Sequence, residues 1–312
     1  MMLGIVIVTY KSYDRIRDYV ELDLLPAKLT KRIVVVDVGS ERSSAERIAS
    51  LLGVKVREAD ATPEPNEEIM VLHLQENLGY ARGNNYGARY LLRHFPEIDQ
   101  LLFSNDDVRF LKGPVLETLT ERMKSMPDVG VIGPDVIDLK GKHQGPLVAH
   151  PTIWQTILIN LLEPLFGRGF VDKRYRSAML NRVSGRVSIL SGCFLLADAK
   201  AFLQAGMFDE RTFLFWEEEL LAKRMEAIGK SFYYEDGVRI QHLVGASLKQ
   251  GKGPNLLQLK CMLAGGNLYF RHYDRCGLPV YLLLRFSNAV RTALVYLALL
   301  KFKLKSRLGL VR

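Results

Sequence analysis

The chain has 312 residues, and its hydrophobic content of 48% and charged content of 25% are typical of a globular protein that can bury a full core. The three cysteines show no CxxC spacing and are too few for a disulfide scaffold, so we expect a reducing compartment. Seven of the basic residues, and no acidic ones, lie between Leu278 and Arg312; without them the net charge of +9 falls to +2, and nothing suggests that the main body binds nucleic acid.

The first third of the chain alternates predicted strands and helices. The N-terminal apolar run has no basic leader and no small-residue cleavage site, so it predicts a first strand rather than a signal peptide. Strands that alternate with helices indicate a layered, mostly parallel sheet. The predicted strands are Ile5–Thr9, Ile33–Val36, Val54–Val56 and Ile69–Leu74, and the predicted helices lie near 12–25, at Ser43–Leu52 and near 84–94.

A short apolar run at Leu101–Ser104 leads into Asn105, Asp106 and Asp107. It predicts a buried strand that places two adjacent carboxylates at the carboxyl edge of the sheet, where open α/β folds bind ligands. Two such carboxylates favour a divalent cation that also contacts a phosphate. A solvated Asn-Asp turn is the alternative, and these residues alone do not decide between the two.

The pattern is weaker after Pro134, and no internal repeat is present. The segment 135–186 mixes glycines, aromatics and basic residues around one apolar helix. The predicted elements from there on are a helix at Ile153–Leu162, a strand at Ser188–Ala197, helices at Asp198–Ala205 and Thr212–Ile228, and a strand at Ser231–Tyr234.

Four patterns should converge, because the carboxyl ends of parallel strands meet at one edge of a sheet. They are Thr9-Tyr10, the strand end at Asp37, the glycine-spaced turn 77–87, and Asn105–Asp107. We expect the glycines of the turn to let the backbone approach a phosphate or a base closely. No GxGxxG or GxxxxGK[ST] pattern occurs, which argues against NAD binding and P-loop chemistry.

Two later features each allow two interpretations. Glu217, Glu218 and Glu219 follow Trp216 at a predicted helix start, where acids stabilise the helix dipole by about 0.3–1 kcal/mol each. A carboxylate packed against an aromatic ring can instead have the raised pKa of a general base. His242, after a late strand, can be a structural residue or a ligand.

Taken together, these patterns resemble the family 2 glycosyltransferases, in particular the bacterial polysaccharide and rhamnosyltransferase-like members. Each motif is weak alone, but eight occur in register between about residue 3 and residue 247. They are VTY (8–10), VVDVGS (35–40), NLGYARGNNYG (77–87), NDD (105–107), SGCFLL (191–196), GMFDE (206–210), the acidic pair 217–218, and His242.

The resemblance implies an α/β GT-A fold: a mixed, mostly parallel nucleotide-binding sheet flanked by helices. It also implies a divalent metal, Mg²⁺ or Mn²⁺, at Asp107 with His242 close by, and a catalytic base at Glu218 with Glu217 beside it. Val38 replaces the usual Asn, which puts one donor contact in doubt, and Glu218 replaces the commoner Asp and reaches one methylene further. The donor-binding residues that it implies are Thr9, Tyr10, Asp37, Gly79, Arg82, Asn84 and Asp106.

We therefore expect a donor-binding half at 1–134, an acceptor-binding and catalytic half at 135–250, and a basic helical tail at 251–312. The expected reaction is inverting transfer of a hexosyl or rhamnosyl group from a UDP- or dTDP-linked sugar to a glycan or lipid-linked acceptor, in bacterial cell-surface polysaccharide synthesis. A non-catalytic nucleotide-sugar-binding or scaffold subunit and a sugar nucleotidyltransferase are the alternatives. The early Gly-rich loop with Arg and Lys that a nucleotidyltransferase carries is missing from Ile5–Lys11.

The apolar run at Val280–Leu300 is interrupted by Arg285, Asn288 and Arg291, which disfavours a membrane-spanning helix. With the basic residues that follow, it predicts a helix that contacts the membrane peripherally, at the cytoplasmic face of the inner membrane. A helix packed on the catalytic body, with a solvated basic end, is the other interpretation.

Overall fold

The computed structural model describes residues 2–13, 15–58, 61–167, 183–243 and 256–307. Within these ranges a ten-stranded sheet forms the centre of the molecule, and helices cover both of its faces. Parts of the predicted acceptor half (168–182 and 244–250) and both ends of the predicted tail (251–255 and 308–312) lie outside the described residues. The strands are β1 (Met2–Thr9), β2 (Lys31–Val38), β3 (Val56–Arg57), β4 (Ile69–Leu74), β5 (Ile98–Asn105), β6 (Val108–Lys112), β7 (Val129–Ile137), β8 (Gly185–Val187), β9 (Phe194–Asp198) and β10 (Ser231–His242).

The strand order is β3-β4-β2-β1-β5-β9-β7-β10-β6, and β8 also pairs with β10. The first five strands of this order are mutually parallel, and so are β7 and β10. Strand β9 runs antiparallel to both of its neighbours, and β6 and β8 run antiparallel to β10. The prediction of a mixed, mostly parallel sheet is therefore confirmed.

The helices pack in two layers because the strands of the sheet alternate their side chains between its faces. Val6 and Val34 lie in one buried cluster with residues of the third helix, whereas Ile5 and Ile33 lie in the cluster on the opposite face. The helices are α1 (Ile16–Asp18, continued by a π-helical turn at Tyr19–Leu24), α2 (Arg42–Leu51), α3 (Gly79–His94), α4 (Val115–Lys124), α5 (Ile153–Phe166), α6 (Ala199–Gln204), α7 (Glu217–Ala227), α8 (Leu256–Leu268, continued by a π-helical turn at Tyr269–Tyr273) and α9 (Leu278–Arg307).

A third buried cluster joins the C-terminal helices to the body. Ile153 and Ile157 of α5 contact the same cluster as Leu220 of α7 and Leu284 of α9. The aromatic rings of Tyr269 and Phe270 complete this cluster. The C-terminal segment is thus packed on the catalytic body along α5 and α7.

Several elements differ from their predicted bounds. Strand β7 was not predicted, because Gly130, Gly133 and Pro134 interrupt its apolar pattern, and the short strand β6 was missed as well. Of the predicted strand 188–197, only the part from Phe194 onwards forms a strand, and Gly192 and Cys193 before it form a turn. Helix α3 begins at Gly79 rather than near residue 84.

Helix α7 begins at Glu217, five residues after the predicted start at Thr212. The reason is local: Phe215 and Trp216 adopt left-handed backbone conformations, with φ of 72° and 73°. Left-handed φ values in bulky residues are costly and end a helix on its N-terminal side. The three consecutive glutamates therefore occupy the first turn of α7.

Two of the interruptions in α9 do not face solvent. Asn288 and Arg291 are buried, and Arg291 donates to Asn160 (3.0 Å) and pairs with Glu163 (2.9 Å) on α5. The segment Leu278–Phe302, of mean hydropathy 1.3, is long and apolar enough to cross a membrane by length and composition. The expectation that these polar residues disfavour a spanning helix stays a prediction.

The glycines of α3 provide close helix–sheet packing. A Cβ added at Gly87 would lie 2.5 Å from Val6 Cγ1 and 3.1 Å from Val36 Cγ2. We expect Gly87→Ala to lower the free energy of unfolding by about 1–3 kcal/mol, because overpacking outweighs the better helix propensity of alanine. Urea denaturation measures this, with Gly185→Ala as a control at a position whose nearest atom is 3.9 Å away. Equal stability of the two variants would contradict the packing role.

Candidate active site

The carboxyl ends of the central strands bring the predicted polar residues to one edge of the sheet. In the parallel register Thr9 lies opposite Asp37, and Val8 lies opposite Asn105. Ser104 pairs with Phe194 at the start of antiparallel β9, so the Ser191–Cys193 turn reaches the same edge. The expected convergence of these strand ends is present.

The two adjacent aspartates have different environments. Asp106 is buried, and the Thr9 hydroxyl donates to Asp106 Oδ2 at 2.7 Å. Burial raises the pKa of Asp106 to about 6, the charge of Asp107 adds to this, and the Thr9 hydrogen bond opposes it. Thr9 and Asp106 therefore hold the ends of β1 and β5 together. Tyr10, which follows Thr9 in the chain, is 37% exposed at this edge of the sheet.

Asp107 pairs with His242, although the two residues are far apart in the chain. Antiparallel pairing of β6 with β10 places His242 opposite Val108, and His242 Nε2 lies 3.1 Å from Asp107 Oδ1. Burial opposes a charge on His242, but hydrogen bonds to Asp107 and Cys193 outweigh it and raise the pKa of His242 to about 10. Without a bound metal, these contacts favour the protonated form of the imidazole.

The other ring nitrogen of His242 is held by a residue that sequence reasoning missed. His242 Nδ1 lies 2.8 Å from Gln144 Oε1, in the loop that follows β7. Its neighbour His143 pairs with Asp135 of β7, which also binds Arg239 of β10. No local sequence signal identifies Gln144, because its role arises only from the pairing of β7 with β10.

Asp37 is fully buried at the end of β2. The imidazole of His73 lies beside it, with Nδ1 3.5 Å from Asp37 Oδ2. Burial raises the pKa of Asp37, while Ser40 and His73 lower it in part. Neither carboxylate oxygen accepts a hydrogen bond of good geometry from a described residue. Because buried carboxylates are normally hydrogen-bonded, such an oxygen is suited to a donor from a ligand.

The first turns of α3 contact another part of the chain. Gly79 has a φ of 74°, and an added Cβ would lie 2.2 Å from the carbonyl oxygen of Phe213. Arg82 is exposed, and its Nε donates to the carbonyl oxygen of Glu210 at 3.0 Å. Asn84 is buried and donates to the Tyr80 carbonyl. At Gly79 the close backbone approach predicted for a phosphate or base is therefore made to the Phe213 segment.

Glu218 is fixed by a turn whose role the sequence did not reveal. The backbone N–H of Gly192 donates to Glu218 Oε1 at 2.9 Å, and Tyr80 donates to the Gly192 carbonyl at 2.5 Å. A Cβ at Gly192 would lie 2.2 Å from Glu218 Oε1, so a side chain there would displace the Glu218 carboxylate from this position. The turn also links both parts of the site, because the Asn105 N–H donates to the Cys193 carbonyl at 2.9 Å.

Burial raises the pKa of Glu218 and raises that of Glu217 well above its usual range, and the negative charge of Glu218 raises the pKa of Glu217 further. Glu217 is the more buried of the two, and its Oε1 has no hydrogen-bond partner among the described residues. The shift is larger for Glu217, so Glu218 is the member of the pair that loses its proton more readily. The Trp216 ring points away to Gly265 and Tyr269, so burial rather than stacking causes the shifts.

Asp209, in the GMFDE motif, is a structural anchor. It is 2% exposed and accepts hydrogen bonds from Arg211 (2.6 Å) and Tyr273 (2.6 Å), while Arg224 lies 3.1 Å away. Burial alone would raise the pKa of Asp209, but these partners outweigh it and hold the pKa well below 3.8. The segment before α7 is thereby tied to α7 and to the C-terminal helices.

We expect Asp209→Asn to lower the free energy of unfolding by about 1–3 kcal/mol at neutral pH, because the buried acceptor of Arg211, Tyr273 and Arg224 loses its charge. A depressed pKa stabilises the fold above pH 3.8, and this contribution is lost as the pH falls below that value. The stability difference between wild type and variant should therefore be constant from about pH 5 to 8 and shrink below about pH 4. Denaturation from pH 8 down to about pH 2 measures it, because the contribution is lost gradually as the pH falls towards the depressed native pKa. A difference that did not shrink between about pH 5 and about pH 2 would contradict the ionic role.

The geometry agrees with comparisons to known proteins. A family model described as "Glycosyl transferase family 2" matches residues 4–202. Two relatives, from Mycobacterium tuberculosis strains CDC 1551 / Oshkosh and ATCC 25618 / H37Rv, are described as N-acetylglucosaminyl-diphospho-decaprenol L-rhamnosyltransferase. Each is 26% identical over 211 residues, which cover 64% of this chain and 68% of the relative.

Two solved structures share the fold at low sequence identity. GalNAc-T7, solved with UDP, GalNAc and Mn²⁺, has a TM-score of 0.54 and 14% identity; the match covers 88% of this chain and about half (49%) of that one. The mannosyltransferase PcManGT from Pyrobaculum calidifontis, solved with GDP-Man and Mn²⁺, has a TM-score of 0.51 and 11% identity over 96% of this chain and 86% of that one. Both likenesses show a GT-A fold.

Proposed function

Because the chain belongs to glycosyltransferase family 2, we propose that it transfers a sugar, with inversion, from a UDP- or dTDP-linked donor to a hydroxyl of a glycan or lipid-linked acceptor. The single observation that carries this proposal is the Ser191–Cys193 turn. It holds Glu218 through Gly192 and, through Cys193, the strand end that leads to Asp107. A candidate base and a candidate diphosphate site are thus fixed to one short segment.

Asp107 and His242 would hold the divalent metal, Mg²⁺ or Mn²⁺. A carboxylate oxygen and an imidazole nitrogen 3.1 Å apart suit an ion that takes its remaining ligands from the donor diphosphate. Binding of the ion at His242 would release the Nε2 proton, because an imidazole ligand must be neutral. Among the described residues no cluster of three or more His, Cys, Asp or Glu side chains forms a complete site, which fits an ion completed by substrate. When bound, such a metal offsets the negative charge of the leaving diphosphate.

Glu218 is the proposed general base. Its carboxylate would take the proton from the acceptor hydroxyl as that oxygen attacks the anomeric carbon and the bond to the diphosphate breaks. The Gly192 N–H orients one carboxylate oxygen and leaves the other for the acceptor. Burial raises the pKa of Glu218, which favours proton uptake by this carboxylate. Asp37, whose oxygens accept no hydrogen bond of good geometry from a described residue, is proposed to bind the nucleoside of the donor together with Tyr10 and the segment around Asn84.

The bacterial relatives transfer L-rhamnose to a decaprenol-linked N-acetylglucosamine, by their descriptions. This supports a lipid-linked acceptor, a role in cell-surface polysaccharide synthesis and a site at the cytoplasmic face of the inner membrane. The division into a donor half at 1–134, an acceptor and catalytic half at 135–250 and a helical tail at 251–312 remains part of the proposal. A non-catalytic scaffold would not need Glu218 and Asp107 to be brought to one turn.

Calorimetry with UDP-, dTDP- and GDP-sugars, each with and without Mn²⁺, tests the donor site. We expect one nucleotide class to bind at micromolar Kd only when metal is present, because the metal bridges protein and diphosphate. That result would also identify the nucleobase of the donor. Folded protein that bound no nucleotide would instead favour the non-catalytic scaffold.

Membrane contact through α9 is the remaining part of the proposal. Large apolar side chains of α9 are exposed, including Leu282, Phe286 and Leu297, and basic residues follow them in the sequence. We expect full-length protein to float with vesicles that contain anionic lipid, and a chain truncated near Gly277 to stay in solution. Flotation of both proteins, or of neither, would contradict a membrane role of the helix.

A further inference from the structure

A cavity of about 890 Å³ opens beside the candidate base and runs between the C-terminal helices. At its catalytic end lie Gln144, Ser191 and Glu218. Gln144 is the partner of His242, and Ser191 begins the turn that holds Glu218, so the cavity is continuous with the candidate active site. It is therefore the place from which an acceptor could reach the base.

The cavity is elongated. Its lining includes Leu284, Asn288, Arg291, Val295 and Ala298, which recur every three or four residues and so form one face of α9. At 1.5 Å per residue, that face extends for about 21 Å. Faces of α5 and α8 form the other walls. An extended ligand fits such a shape better than a compact sugar does.

The chemistry of the walls is amphipathic. Most lining side chains of α8 and α9 are apolar, for example Leu259, Leu263 and Leu294, and the polar ones gather near Arg291. Arg291 is 7% exposed, and Glu163 and Asn160 are its partners across the helix interface. A ligand that fits these walls has a long apolar part and an anionic group that can share the guanidinium.

From this continuity, length and lining we infer that the cavity binds the apolar chain of a lipid-carried acceptor, with the acceptor hydroxyl at Glu218. The inference rests on the proposed function for the identity of the reacting end. It assigns a role to α5, α8 and α9 that the catalytic motifs do not. Exposed apolar side chains on the outer faces of α5 and α9, such as Leu165 and Phe286, would let the chain enter from a membrane surface.

The test compares two probes, dodecyl phosphate and butyl phosphate, by calorimetry on the full chain below the critical micelle concentration. Each buried methylene strengthens binding by roughly fourfold, so we expect dodecyl phosphate to bind at least about a hundredfold more tightly. Trp216 lines the cavity, and Trp154 on the outer face of α5 is the second of the two tryptophans. In a Trp154→Phe background, the emission of Trp216 should change on binding of the long probe.

The matched variants are Leu294→Tyr, which fills the cavity, and Leu297→Tyr, which lies one turn further on at a 55% exposed position outside the lining. We expect Leu294→Tyr to weaken dodecyl phosphate binding by at least about tenfold and Leu297→Tyr to change it by less than about twofold. If Leu294→Tyr does not fold, Ala298→Tyr with its control Ala293→Tyr makes the same comparison. Equal binding of the two probes, or equal loss in both variants of a pair, would overturn the inference.

Metal-dependent binding of nucleotide sugar is measured on the same samples, so the two proposals can fail separately. Loss of chain-length dependence with donor binding intact would reject the cavity assignment alone. Chain-length-dependent binding that is sensitive to Leu294→Tyr, without binding of any nucleotide sugar, would instead reject the proposed function and leave the cavity as a lipid site.

Discussion

Glu218→Gln is expected to lower turnover by about 10²–10⁴-fold while donor affinity stays within about twofold of wild type. The amide cannot accept the proton of the acceptor hydroxyl, but it keeps the size of the side chain and can still accept the hydrogen bond from the Gly192 N–H. Single-turnover assays and donor calorimetry on the same protein separate the two effects. The matched control is Glu226→Gln on the same helix, at a position that pairs with His150 and Lys223 away from the site.

The pH dependence of turnover gives an independent check. A base must be deprotonated, and burial raises the pKa of Glu218 above its usual value of 4.5. Turnover should therefore begin to fall on acidification at a pH above that value. A Glu218→Gln variant with near-wild-type rates, or a Glu217→Gln variant with a larger loss than Glu218→Gln, would show that the base is assigned to the wrong residue.

Asp107→Asn is expected to weaken metal-dependent donor binding by roughly a hundredfold. Removal of an outer-shell partner typically costs about 10–100-fold in metal affinity, and a residue that would contact the metal directly should cost at least as much. A neutral amide is a poor ligand for a hard divalent cation, and the substitution also leaves His242 without its carboxylate. Donor calorimetry across a Mn²⁺ titration measures the effect. Without metal, variant and wild type should bind the donor equally weakly.

The control for this experiment is Asp99→Asn. Asp99 is an exposed aspartate near the start of β5, the strand that leads to Asp107, and it lies at the opposite edge of the sheet. It should leave the metal dependence unchanged. Circular dichroism confirms that Asp107→Asn is folded before its affinity is interpreted. Unchanged donor binding in the presence of metal would remove Asp107 from the site and return the acidic pair to the role of a turn.

The sheet edge could be predicted from sequence because short β-branched runs that end in polar residues are typical of buried strands that reach the edge of a sheet. The convergence of Thr9, Asp37 and Asn105 follows directly from parallel pairing. Strand β7 escaped prediction since its glycines and proline hide the apolar pattern, although those residues pack against β9 and β10. Local propensity was overridden there by tertiary pairing.

The positions of Gly192 and Gln144 could not be predicted because their roles depend on contacts between distant segments. Gly192 meets Glu218 only after β9 and α7 have packed, and Gln144 meets His242 only after β7 has paired with β10. The acidic run at the start of α7, by contrast, serves both interpretations that the sequence left open. It occupies the first turn of a helix, and it supplies the buried carboxylates whose pKa is raised.

The contact between Gly192 and Glu218 also has a consequence for covariation among related sequences. With Glu at 218, a side chain at 192 would displace the carboxylate, because its first carbon would lie 2.2 Å from Oε1 and 2.7 Å from Cδ. Aspartate at 218 draws the carboxylate back by one methylene and relieves these two contacts, which leaves the 2.9 Å contact with Cγ. Related chains with alanine at position 192 should therefore carry aspartate at position 218. The activity lost in Gly192→Ala should be restored by Glu218→Asp rather than by any change elsewhere in the turn.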